Sequence, residues 1–247
     1  MTISLKLDLH IHSEASSDGL TSVDRILRTA ERRELDGFSI TDHNYFDPDR
    51  HRRLQEKTDR LIIPGEEVST DQGHVLAYFI ESEIEGFRDA SSVIQDIHDQ
   101  NGLAVMAHPF RLRQNYPDDY FNQFDGVELF NARSGDPSRK ETPNFYTKQV
   151  LEHAGITSVT GGSDSHVYWT IGNGITEVTA RPSEDSLKKA IRSGKTDVYG
   201  TPSYEFNRAI SRAVYLSNNP DFGDWMNYFP QAARWVGRDC SSLLGFG

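Results

Sequence analysis

The chain has 247 residues, a length that one α/β barrel or two small domains fill, and we expect one domain over 1–199 followed by an aromatic-rich extension over 200–247. Its 26 Lys and Arg against 37 Asp and Glu give a formal charge of -11, which argues against a broad groove for duplex nucleic acid or an anionic membrane, but not against small anions. The single cysteine, Cys240, excludes an internal disulfide. No basic-then-apolar leader opens the sequence and no apolar run approaches the roughly 18 residues of a membrane span, so the cytoplasm is the expected compartment.

Short apolar strands alternating with helical stretches predict βαβ units around a parallel sheet. In chain order, strands are expected near 3–9, 37–41, 60–65, 74–80, 103–107, 125–130, 157–160 and 174–179. Helices fit at about 22–35, 90–100, 139–154 and 183–193, the last introduced by Ser183 and an acidic first turn. Past Gly200 the pattern gives way to Tyr204, Phe206, Tyr215, Trp225, Tyr228, Phe229 and Trp235, a segment available to cap the barrel, line the site mouth or join subunits into a homo-oligomer.

The first strand runs on into "DLHIHSEASSDG". Ile3, Leu5, Leu7, Leu9 and Ile11 alternate with Ser4, Lys6, Asp8, His10 and His12, so period two sends both histidines to one face and the apolar set to the other. Same-face neighbours on a strand lie about 7 Å apart, a spacing from which two imidazoles converge on one ion. Further strands end in residues of the same kind. "GFSITDH" ends at Asp42 and His43, "LAVMAHPFR" reaches His108, "TSVTGGSDSH" delivers Asp164 and His166, and "PGEEVSTDQGH" adds Glu66, Glu67 and His74 after a strand. In barrels and open parallel sheets chemistry collects at the carboxyl ends of the strands, so these groups are expected to meet there. Asp8 and Asp42, beside ligands, suit acceptors that orient imidazoles. His51, His98 and His153 read as ordinary surface or boundary histidines. Arg111 and Arg133 suit bidentate contacts to a phosphate, and Asn131 is expected to shape the turn before Arg133.

Four ordered motifs, "DLHIHSEASSDG", "TDH", "AHP" and "GGSDSH", with "GEE" and "GH" between them, resemble the polymerase and histidinol phosphatase (PHP) family of metal-dependent phosphoesterases over nearly the whole chain up to about residue 180. The resemblance implies a distorted (βα)7 TIM-like barrel holding two or three divalent ions, Zn, Mn, Fe or Co. Carried onto matching positions, one ion would take His10, His12, Glu67 and Asp164, a second Glu67, His74 and His108, and a third Asp18, His43 and His166. The family's Gly-x-Glu pattern selects Glu67 over Glu66, and Asp18 stands where some members have histidine.

The implied activity is hydrolysis of a small phosphorylated metabolite or nucleotide, by attack of a metal-bridging hydroxide on phosphorus. Arg111 or Arg133 would neutralise transition-state charge, and Asp164 and His166 would belong to the catalytic set. Ligand carboxylates Asp18, Glu67 and Asp164 contribute about -3 against about +6 from three dications, which makes a positive pocket in an acidic protein. Within this class stand a histidinol-phosphate phosphatase and a short-oligonucleotide exonuclease. Outside it stand an amide or cyclic-ester hydrolase and a non-catalytic metal-binding regulatory module.

Overall fold

A computed structural model describes residues 2–112, 115, 116, 120–154, 156–219, 228, 230–237 and 239. Trp225, Phe229 and Cys240 lie outside the described residues. Among the described residues nine strands form one sheet: β1 (Ile3–Ile11), β2 (Gly37–Ile40), β3 (Leu61–Thr70), β4 (Gly73–Tyr78), β5 (Leu103–Met106), β6 (Gly126–Asn131), β7 (Val159–Gly162), β8 (Gly174–Ala180) and β9 (Thr196–Gly200). Their order is β7-β6-β5-β4-β3-β2-β1-β8-β9. The runs β1-β2-β3 and β5-β6-β7 are parallel, but β4, β8 and β9 pair antiparallel, so the sheet is mixed where a parallel one was expected; β3 and β4 are joined by a tight turn that leaves no room for a crossover helix.

The sheet curls into a nearly closed, distorted TIM-like α/β barrel. Its edges meet through side chains instead of a ladder: Thr196 Oγ1 donates to the Val159 carbonyl at 2.7 Å, and Thr176 Oγ1 accepts from Gly161 N at 2.7 Å. Leu5, Leu7 and Leu9 pack with Leu76 and Tyr78 of β4 and Leu103 and Val105 of β5, strands far from β1 in the sheet, so these side chains fill the barrel interior. Outside, helices α1 (Val23–Arg32), α2 (Pro48–Gln55), α3 (Ala90–Asp99), α4 (Pro143–Ala154) and α5 (Glu184–Arg192) bury apolar stripes, as Ile26, Leu27 and Ala30 of α1 do against Phe38 of β2. A sixth, α6 (Phe206–Asn218), belongs to the extension. No described helix is long and apolar enough to cross a membrane.

Several boundaries differ from the sequence expectation for local reasons. The helix expected over 139–154 begins at Pro143, because Thr142 Oγ1 accepts from Phe145 N and caps a helix whose first residue is proline. The helix expected to reach residue 35 ends at Arg32, and Glu34 turns the chain at φ 55°. β3 runs to Thr70 instead of stopping near 65, so Glu66 and Glu67 lie within a strand and face opposite sides.

The most consequential difference is in β1. Strict alternation placed Ile11 with Leu5, Leu7 and Leu9, but Ile11 packs outside with Ile26, Leu35 and Phe38. The β1–β2 register is irregular between Asp8 and Ile11. Parity changes there, and His10 and His12 turn inward above the same apolar filling that Leu9 enters from below.

Candidate metal centre

All nine candidate ligands gather at one end of the barrel, where the parallel strands have their carboxyl ends and the antiparallel β4 begins. His10 and His12 end β1, Asp18 follows in the next loop, His43 follows β2, Glu67 lies on β3, His74 opens β4, His108 follows β5, and Asp164 and His166 follow β7. Strand-end backbone holds some of them in the left-handed region, with φ 49° at Asp164 and 26° at His108, a conformation that costs energy for a residue with a Cβ. Gly162 makes room: a Cβ there would collide with that of His10.

Glu67 is the centre of the cluster. Its Oε1 meets His74 Nδ1 at 2.7 Å and His108 Nε2 at 2.8 Å. Its Oε2 lies 3.3 Å from His10 Nε2, 3.2 Å from His12 Nε2 and 3.0 Å from His43 Nδ1. Asp164 Oδ1 stands 3.5 Å from His12 Nε2 and 4.0 Å from His10 Nε2. On the far side Asp18 Oδ2 is 2.9 Å from His166 Nε2, and Asp18 Oδ1 is 3.7 Å from His43 Nε2. The three sets that the resemblance implied are therefore each brought together.

Glu67 Oε1 is satisfied by hydrogen bonds from His74 and His108, but other atoms of the cluster are not. Glu67 Oε2 is buried with three ring nitrogens around it, yet among the described residues it accepts no hydrogen bond, and neither does Asp18 Oδ1. His10 Nε2 and His12 Nε2 face each other at 3.1 Å in full burial. Such convergence of buried ring nitrogens on buried carboxylate oxygens fits a cation bound among them in place of protons. The donor set of imidazole and carboxylate without thiolate suits a divalent ion. Ligating atoms in four groups lie within 4.8 Å of one another: His10, His12 and Glu67; His43, Glu67 and His74; His10, His108 and Asp164; and His12, His43 and His166.

The local fields are strong. Burial alone would raise Glu67, but His43, His74 and His10 hold it well below the usual carboxylate range. Burial opposes the charge on His12, while Asp164 and Glu67 lift it to about 9. His166 is pushed down to about 3 by burial, Arg133 and His12, which leaves it a neutral donor of lone pairs.

The surrounding residues depart from expectation in instructive ways. Asp8 touches no imidazole; it accepts from the backbone of Ser163 at 2.9 Å and Gly172 at 2.7 Å, tying β1 to the β7–β8 segment. The acceptor on His10 Nδ1 is Glu128 of β6, at 3.0 Å, whose other oxygen takes His108 N at 2.8 Å and Asn131 Nδ2 at 3.0 Å. Sequence reasoning missed Glu128 because "DGVELF" reads as an ordinary strand; an acid at a buried strand position was the available signal. Asp42 reaches His12 only through Ser16, whose Oγ is 2.9 Å from Asp42 Oδ1 and 3.1 Å from His12 Nδ1; Arg50 of α2 holds Asp42 from outside at 2.7 Å. Asn131 does more than shape its turn, since Nδ2 also donates to Asp164 Oδ2 at 3.2 Å.

Glu66 points away from the cluster and accepts from Ile84 N at 3.0 Å. His98 pairs with Asp125 at 2.8 Å, His153 donates to the Gln149 carbonyl at 2.7 Å, and His51 packs near Phe46, all outside the site. Arg111 bonds Asp164 Oδ2, while Arg133 Nη1 reaches Asp164 Oδ1 at 3.4 Å and His166 Nδ1 at 2.7 Å. Both arginines line a cavity of 980 Å³ that opens over the cluster and also takes in Asp18, His43 and His74.

Residues 143–196 match the family model PHP_C, described as PHP-associated. In fold, the chain superposes with a TM-score of 0.66, at 21% identity, on a two-domain protein from Bacteroides vulgatus that contains a predicted PHP-like metal-dependent phosphoesterase, covering 85% of this chain and 69% of that one. The chain thus carries a PHP-associated segment on a PHP-like fold. The chain also superposes on an amidohydrolase from Chromobacterium violaceum, with sulfate bound and no metal, at a TM-score of 0.54 and 14% identity over 83% of this chain and 96% of that one. Among curated sequences, the chain is 27% identical to the uncharacterized protein MJ0417 of Methanocaldococcus jannaschii over 178 residues, 68% of each.

Proposed function

We propose that this protein is a metal-dependent phosphoesterase acting on a small phosphorylated metabolite or nucleotide. The observation that carries the reading is the joint placement of the histidine and carboxylate cluster centred on Glu67 with two arginines, Arg111 and Arg133, on the wall of one open cavity. His10, His12, Glu67 and Asp164 would hold one divalent ion, Glu67, His74 and His108 a second, and Asp18, His43 and His166 a third. When bound, such ions supply Lewis acidity toward phosphoryl oxygens and lower the pKa of water.

The chain's own residues do the rest. Arg111 and Arg133, now paired with Asp164, offer planar N–H forks to the nonbridging phosphoryl oxygens, where charge concentrates during in-line displacement. Glu128 fixes the tautomer of His10 by accepting from Nδ1, which turns the Nε2 lone pair toward the cluster. Ser16, held by Asp42, does the same for His12. With these histidines committed as ligands, solvent in the open cavity donates the proton to the leaving oxygen.

The test is turnover by metal-free protein reconstituted separately with Zn, Mn, Fe and Co, against phosphate monoesters, nucleotides, short oligonucleotides, and a matched set of amides and cyclic esters. Metal-dependent release of phosphate supports the reading. Amide or cyclic-ester turnover without phosphate release would replace it with the other hydrolase class, and full metal occupancy without any turnover would leave a binding module.

A further inference from the structure

Helix α6 presents Arg208, Ser211, Arg212 and Tyr215 at spacings i, i+3, i+4 and i+7, so they share one helical face, and all four line the cavity above the histidine and carboxylate cluster. That face is anchored at both ends. Near its start Arg208 donates to the Arg133 carbonyl at 2.5 Å, Ser211 Oγ accepts from Arg133 Nη2 at 3.0 Å, and Asn207 Oδ1 accepts from Trp169 Nε1 at 3.0 Å. At its end Asn218 Nδ2 donates to the Ser17 carbonyl at 2.9 Å. Arg133 follows β6 and Ser17 follows β1, so a helix about 20 Å long spans part of the barrel mouth as one wall of the cavity.

We propose that this face of α6 is a second anion subsite, and that the substrate is a small organic phosphate carrying a further carboxylate or phosphate group away from the scissile one. The inference rests on the phosphoesterase reading above and names the substrate class within it. Arg111 and Arg133 already serve the inner end of the cavity, where they meet Asp164. Arg208 and Arg212, one turn apart on α6, bring the cavity's arginines to four in a chain whose net charge is -11. Glu205 stands 3.4 Å from Arg208 and offsets part of this charge. Even so, burial together with Arg111 and Arg133 pushes Arg208 down to about 10, the mark of crowded cations that a bound anion relieves. The Arg212 guanidinium lies 4.8 Å from the Tyr215 ring, an arrangement that steadies it on the cavity side of the helix. A single phosphate would leave most of a 980 Å³ cavity unfilled, whereas a doubly anionic molecule reaches both groups of arginines.

Binding, read without turnover, tests this. Calorimetry on the metal-loaded protein compares simple alkylphosphonates with ω-carboxyalkylphosphonates of the same and increasing chain length. At the length that spans the two arginine groups, the carboxylate form should bind about tenfold tighter or better. Arg212→Gln should bring that ratio toward one, Arg212→Lys should keep part of it, and Arg208→Gln should lower it. Equal affinity of the two series at every length in the wild type overturns the subsite while leaving the phosphoesterase reading in place. So does a wild-type ratio retained by both glutamine variants. If no phosphonate binds at all, the phosphoesterase reading falls and this inference falls with it.

Discussion

Five imidazoles surround Glu67 within 3.3 Å of its oxygens, so no neighbouring residue can take over its place between them. Glu67→Gln keeps the size and replaces one acceptor oxygen by an amide that cannot serve as a ligand. It should abolish metal-dependent turnover and lower the bound metal per chain, measured by elemental analysis, while circular dichroism stays unchanged. Glu128 acts one step further out, through His10, and Glu128→Gln should weaken metal affinity by about 10–100-fold in a competitive chelator titration. Glu66 next door serves the fold instead. Burial, partly offset by the Ile84 N–H and reinforced by Glu83, raises it to about 8, so it is neutral in the folded chain at pH 7 and ionised in the unfolded one. Its contribution is fully present below its ordinary value of 4.5 and is lost as pH rises toward 8. The difference in unfolding free energy between wild type and Glu66→Gln should therefore change across that window, by at most about 1.4 kcal/mol per pH unit. A difference that stays flat from pH 4.5 to 8 would show that Glu66 keeps its charge in the fold.

Among the elements, β7 shows how closely the strand ends must approach for the site to form. At Gly162 an added Cβ meets the Cβ of His10 and lies 2.9 Å from Glu128 Oε1, backed on both sides by buried strands that cannot shift freely. Gly162→Ala should lower stability by about 1–3 kcal/mol in a denaturant titration and weaken metal binding together. Loss of stability alone would mean that His10 had moved back into place. The same crowding explains what the sequence could and could not reveal. The parallel strands and their ligand-bearing ends were legible because alternation, short apolar runs and ordered motifs are local signals. The irregularity in β1 was not, since nothing between Asp8 and Ile11 breaks the pattern; only the need to aim His10 and His12 inward does. Helix α2 was missed because "PDRHRRLQ" buries only Leu54 and so shows no apolar stripe, although Asp47 caps it and Pro48 starts it. β9 is a five-residue edge strand, short enough to pass for a turn. In α6 the helical spacing of Arg208, Ser211, Arg212 and Tyr215 is masked in the sequence by the surrounding aromatic residues, which follow no single period.

At the scale of the whole molecule, the candidate ligands come from six strands and the loops that follow them, so bound ions would cross-link the barrel at its carboxyl end. The amino end has a different source of cohesion, the apolar filling around Leu7, Leu76 and Leu103. Removal of metal should therefore act unevenly. Binding to the folded state alone at 100 times Kd stabilises by about 2.7 kcal/mol, and in a chain of this size each kcal/mol shifts Tm by roughly 2–4 °C. Chelation should lower Tm by about 5–10 °C, and hydrogen exchange should accelerate near His10, Glu67, His108 and Asp164 while Leu7, Leu76 and Leu103 stay protected. The opposing influence is built into the same site. Arg111 and Arg133 pair with Asp164, and protons on His10 and His12 offset Glu67, so the metal-free cluster has partial compensation of its own. An unchanged Tm with metal removed would mean that this compensation equals the stabilisation by the ions. The double variant Arg111→Gln, Arg133→Gln separates the two effects, because without the arginines the drop in Tm on chelation should become larger than in the wild type.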